Sequence, residues 1–154
     1  MVELDLVLLP GDYAVCRLDA DDRVPDGLDA SVGVISITWS ATEISIICPA
    51  DQAPAHGQVN TPWRCFRVNG PANLALTGIL AALVNPLAEA RVNIFAFSTH
   101  DTDYVLVPAV RIEEALAALA VAGHRSPPRP TPDLRVSLGP TRPGTPRPAG
   151  EVGC

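Results

Sequence analysis

Between residues 64 and 122 the spacing of apolar residues runs through five segments, and the order of those segments restricts the fold more than any other feature of the chain. Residues 64–69 (RCFRVN) alternate around Phe66 and Val68, the two-residue period of a strand. Gly70-Pro71 interrupts that run. Leu76, Ile79, Leu80, Leu83 and Leu87 then fall on one helical stripe, with Asn73 as the expected N-cap. Pro86 lacks the amide proton that would bond the carbonyl of Ala82, so the last turn of this helix should kink or loosen before residues 89–91 close it. Residues 92–98 (VNIFAFS) form a second strand, with Val92, Ile94 and Ala96 on one face and Phe95 and Phe97 on the other. A polar turn at 99–102 leads to a third strand at 103–107, ended by Pro108. Residues 111–122 make a second helix with Ile112, Leu116 and Leu119 inward and Gly123 past its end. Strand, helix, strand, strand, helix is the split order of a ferredoxin-like unit, whose helices cover one face of an antiparallel sheet. Its fourth strand is missing, because HRSPP at 124–128 suits one poorly; it must come from elsewhere in the chain or from a partner.

The first half reads as a reduced copy. Residues 13–18, 32–39 and 43–48 are strands, the last two forming a hairpin through the tight link at 39–42. The acidic stretch 19–29 is too short and too rich in Pro and Gly for a full helix, and 50–62 is a connector. Three regions follow: a first, reduced unit at 4–60, a second unit at 63–124, and a tail at 125–154.

Charge sets the tail apart. Residues 1–124 hold 6 arginines against 15 acids, whereas 125–154 hold 5 arginines against Asp133 and Glu151, together with 8 of the 16 prolines. Such a segment buries too little apolar surface to offset its ordering entropy and is expected to be disordered, partly polyproline II, with PxxP spacings suited to an aromatic groove. The overall charge of −6 argues against nucleic-acid binding. Every positive residue is arginine, which excludes lysine Schiff-base and Walker-type chemistry. No nucleophile–base pair, phosphate loop or metal set stands out, so the chain is not expected to be an enzyme and no cofactor is implied. Cys16, Cys48, Cys65 and Cys154 form no CxxC pair; Cys16 and Cys48 sit in apolar runs as small core residues. The acidic start is unlike a signal peptide, and polar residues interrupt the uncharged run 68–88, so a cytoplasmic protein free of the membrane is expected.

LPGDYAVCRL, SIICP, the strand from Trp63-Arg64 to Arg67-Val68 leading into Gly70-Pro71, LTGILAALVNPLAEA and IFAFSTHDTDYVLVP together resemble the tandem ACT-domain proteins of the arginine-sensor (CASTOR-like) type, over residues 7–124. The resemblance implies an α+β fold of paired ferredoxin-like units that binds a free amino acid at an interface between units. It also implies a regulatory homodimer that acts on a protein partner. Matched to the family's motifs, Asn73, Leu76, Thr77 and Gly78 fall in the helix-leading loop and Thr99, His100, Thr102 and Asp103 in the pocket-lining turn. Leu76 stands where the arginine sensor has an acid, which points to a smaller or apolar amino acid. In physical terms, a ligand carboxylate suits free amides at the helix start, residues 74–78, and an ammonium suits the oxygens of 99–103, with Gly78 allowing close approach. The turn and the helix start are expected to face each other from different units. Plainer roles stand beside these: Asp103 as a turn acceptor, His100 as a surface residue, Thr77 and Gly78 as helix packing, and His100, Asp101 and Asp103 as a metal group. A protein-interaction scaffold with a degenerate pocket is the competing function.

Overall fold

The structure, a computed structural model, describes residues 2–69 and 77–126. It is α+β: one curled antiparallel sheet of seven strands with two helices on one face. The strands are β1 (Leu6–Leu8), β2 (Tyr13–Asp19), β3 (Ser36–Trp39), β4 (Glu43–Pro49), β5 (Gln58–Val68), β6 (Phe95–Ser98) and β7 (Asp103–Pro108); the helices are α1 (Ile79–Glu89) and α2 (Ile112–Val121). The order across the sheet is β3-β4-β2-β5-β7-β6, with β1 also on β5.

Register explains how two units share this sheet. The first part of β5 pairs with β2, from Gln58 opposite Arg17 to Trp63 opposite Tyr13, and closes the first unit as its fourth strand. The last part, Phe66 to Val68, pairs with β1, from Leu8 to Leu6. That pairing supplies the second unit's missing fourth strand from the N-terminal end of the chain. The described part of the HRSPP segment, residues 124–126, contributes an outer bridge: Leu6 N–H donates to Arg125 O at 2.6 Å and Arg125 N–H to Leu4 O at 2.8 Å. Each unit thus borrows a strand from the other's half of the chain.

Several expected boundaries change. Residues 58–62 belong to β5 rather than to a connector, because β2 pairs with Gln58, Val59 and Asn60 and, past a register shift, with Trp63. Only Ser36–Trp39 of the expected strand 32–39 pairs; before it, Val34 N–H donates to Tyr13 Oη at 3.2 Å instead. Gly33 is needed there, since a Cβ would lie 2.0 Å from that hydroxyl. The strand expected at 92–98 starts at Phe95, and Val92 N–H donates back to Leu87 O to close α1. Leu83 and Leu87 of the helical stripe are buried, but Leu80 is 40% exposed.

The core has three parts. Leu6, Phe66, Val68, Val105 and Val107 of the sheet pack against Leu83, Leu87, Ile112, Ala115 and Leu119 of the helices. In the first unit Ala14, Cys16, Leu18, Ile44, Ile46 and Cys48 are covered by Val24, Leu28, Ile35 and Ala53 where a full helix would lie. On the opposite sheet face, Cys65, Leu106, Tyr13 and Ile47 are buried beneath Trp63, Phe97 and Tyr104, the last two stacked at 4.8 Å. Arg64 is half-buried, and its Nη2 donates to Leu9 O at 3.4 Å. Trp39 is 64% exposed on the edge strand β3.

Candidate ligand site at the hairpin end

The β6–β7 turn holds its shape through its threonines. Thr99 N–H donates to Thr102 O at 2.9 Å, while Thr99 Oγ1 accepts the amides of Asp101 and Thr102. Thr102 is buried, and its Oγ1 donates to Val68 O at 2.7 Å, fixing the turn to the end of β5. Ser98 Oγ donates to Asp103 Oδ1 at 2.5 Å, which orients that half-buried carboxylate at the mouth of the turn. His100 and Asp101 are exposed and pair with each other, Nδ1 to Oδ1, at 2.8 Å.

The helix start lies at the same end. α1 opens at Ile79, with Gly78 as N-cap in the left-handed region (φ 86°) and no side chain among the described residues capping its first amides. Asn73 and Leu76 lie outside the described residues. Of the helix start expected at 74–78, residues 74–76 also lie outside the described residues, and Thr77 and Gly78 precede the first helical residue, Ile79. The left-handed backbone angle of Gly78 favours glycine, and an added Cβ would meet nothing within 4 Å among the described residues. Thr77 and Gly78 are both exposed.

A chain of hydrogen bonds ties this helix tip to the turn. Pro86 leaves the carbonyl of Ala82 without its usual helical donor. His124 Nε2 lies 2.8 Å from that oxygen, and its Nδ1 accepts Leu4 N–H at 3.2 Å. Because a carbonyl only accepts and an amide only donates, the neutral ring must carry its proton on Nε2. Next to Leu4, Asp5 O accepts the amide of Asn69 at 2.7 Å, and Val68 before it carries the bond to Thr102. Helix tip, β1, the end of β5 and the hairpin turn are thus fastened at one end of the second unit. Within the chain, the helix start and the turn both lie between β5 and α2 in sequence. His124 is the residue that reading the sequence missed; its signal was the orphaned carbonyl left by Pro86.

The arrangement offers first-turn amides for an anion and an oriented carboxylate for a cation, with carbonyls nearby. Among the described residues no group of His, Cys, Asp and Glu is placed to hold a metal ion. Of the described cysteines, Cys16, Cys48 and Cys65 are buried and free, and burial pushes Cys48 and Cys65 up to about 12, which disfavours a reactive thiolate. No helix among the described residues is long and apolar enough to cross a membrane.

This fold defines a class, since an ACT-domain family model matches residues 58–120 and a model of an N-terminal domain matches 11–56. A protein of Agrobacterium tumefaciens, known from its X-ray structure, is 35% identical with a TM-score of 0.76 over 82% of this chain and 93% of that one. Residues 58–120 are an ACT domain, and the chain belongs to one family with that Agrobacterium protein. A Vibrio cholerae protein of unknown function shares the fold at 20% identity and TM-score 0.62, over 79% of this chain and 91% of that one. The regulatory subunit of aspartate kinase from Thermus thermophilus does so at 16% identity and TM-score 0.57, over 76% and 95%. No curated protein matches the chain.

Proposed function

We propose that this protein is a non-catalytic, small-molecule-sensing regulatory module of the tandem arginine-sensor type. It binds a free amino acid at an ACT–ACT interface, acts as a cytoplasmic homodimer and passes its ligand state to a protein partner. The observation that carries this reading is the hairpin end of the second unit, where uncapped amides after Gly78 and the Ser98-oriented carboxylate of Asp103 share one edge of the sheet. The ligand carboxylate takes the amides of residues 79–81 and the ammonium takes Asp103 and the turn oxygens; Thr102 holds the turn in place without touching ligand. A second copy of the unit closes the site over its side chain.

Thermal unfolding in the presence of each of the twenty amino acids tests this. At least one should stabilise the protein, by about 2.7 kcal/mol at one hundred times its dissociation constant. Asp103→Asn should weaken that response at least about tenfold, the loss of one charge-assisted bond. Twenty unmoved transitions would rule out amino-acid sensing. The scaffold reading is favoured by the apolar groove of about 850 Å³ between α1 and α2, lined by Ala82, Pro86, Ala118 and Val121. Removing residues 125–154 separates the two readings, because a sensor keeps its ligand whereas a scaffold contacting through the tail loses its partner.

A further inference from the structure

The groove between α1 and α2, about 850 Å³ in volume, is lined mainly by small and apolar residues, among them Val2, Ala82, Pro86, Ala118 and Val121. Alanine and proline along both helices leave space that larger side chains would fill, and Val121 stays 90% exposed beside it. An apolar surface of this kind marks a contact site.

The chain itself supplies an occupant. His124 lines the groove, and two residues on, Ser126 is half-buried with its Oγ shielded from water. The described chain thus stops beside the groove and against the body, with residues 127–154 still to follow. Within them, residues 133–138 (DLRVSL) alternate. Leu134, Val136 and Leu138 fall on one face of an extended chain, and Asp133, Arg135 and Ser137 on the other. The three apolar side chains span about 13 Å, against about 16 Å for the 11 residues of α1. The link from Ser126, residues 127–132 (PPRPTP), reaches about 19 Å as polyproline II, enough to bring Leu134 to any point along the groove.

Charge favours the same pairing. Residues 1–126 carry 7 arginines against 15 acids, whereas residues 127–154 carry 4 arginines against 2 acids. Both carboxylates in the groove lining are glutamates. Glu114 already pairs with Arg111, but Glu89 has no ion-pair partner among the described residues. We propose that residues 133–138 seat in the groove between α1 and α2 of their own chain, with Leu134, Val136 and Leu138 against the alanines and Arg135 on Glu89. So short a link holds the segment at a millimolar effective concentration, so it outcompetes a second copy at micromolar protein. Another protein that uses the groove must first displace it. The contact needs no ligand at the hairpin end.

A nitroxide on Ser137→Cys, on the outward side of the segment, tests this in the full chain. Cys154→Ser removes the tail's own thiol, and Cys16, Cys48 and Cys65 are buried. In amide NMR spectra the label should broaden residues 82–90 and 114–122 and leave β3 and β4 of the first unit sharp. Leu134→Asp together with Val136→Asp should abolish that broadening, while unmoved resonances of β3 and β4 show that the fold is kept. Broadening that survives both aspartates overturns the proposal, as does broadening absent from the two helices or spread evenly over the body. A mixture of nitroxide-bearing chain with isotope-enriched, nitroxide-free chain should leave the enriched helices sharp. Equal broadening there places the segment on a second copy and overturns a seat within one chain.

Discussion

His124 is the residue on which the candidate site depends most. It is 6% exposed and bridges the buried Leu4 N–H and the half-buried Ala82 O, two backbone groups that would otherwise lose this partner. His124→Ala should destabilise the protein by about 2–4 kcal/mol, measured by urea unfolding, since two polar groups lose their bonds. Pro86→Ala gives Ala82 O its helical donor back, so the cost of His124→Ala should shrink in that background; a strictly additive double-mutant cycle would contradict the bridge. Cys65 behaves as a different kind of buried group. Burial raises it from 9.0 to about 12. Below pH 9 native and unfolded chains both hold the proton, and this contribution to stability is complete. Between pH 9 and 12 only the unfolded chain releases it, so stability falls as pH rises through that window. The urea midpoint should drop from pH 8 to pH 10, and drop less in Cys65→Ala.

Among the elements, β1 has the largest effect for its size. Three residues complete the second unit, with Leu6 only 1% exposed between sheet and helices. Leu6→Ala should cost about 2–4 kcal/mol by the same unfolding assay, a loss typical of a buried leucine. The stretch from 64 to 122 was legible because its elements are long enough to show a period: Leu83, Leu87, Ile112 and Leu119 are all buried as their spacing demands. β1 was not legible as a fourth strand. Its partner Val68 lies some sixty residues away, and no local pattern records such a pairing. The start of β5 was hidden for a related reason. Gln58, Asn60, Thr61 and Pro62 read as a loop and are exposed, and only the ladder from β2 makes them a strand. At the candidate site, the turn residues Thr99, Thr102 and Asp103 could be found from composition. The role of Thr102 as an anchor could not, since it rests on one bond to Val68 O.

For the whole molecule, the sharing of β5 between the units has a thermodynamic consequence. Neither unit has four strands of its own, so they should unfold together. Calorimetry should give one transition whose calorimetric and van't Hoff enthalpies agree. Ile46→Ala in the first unit's core should lower the same transition that Leu83→Ala lowers in the second. Two separable transitions would show that the strand exchange does not couple them. Coupling of this kind also gives a sensing module its means of output, because a ligand that orders the second unit's edge acts on a sheet continuous with the first.

The most direct measurement of the central claim is an amide NMR titration of the full chain with the amino acid that stabilises it most. Resonances of residues 77–81 and 98–103 should shift first and saturate together, with Asp103→Asn abolishing the effect. Shifts confined to other parts of the sheet, or none in either segment at saturating ligand, would contradict recognition at the hairpin end.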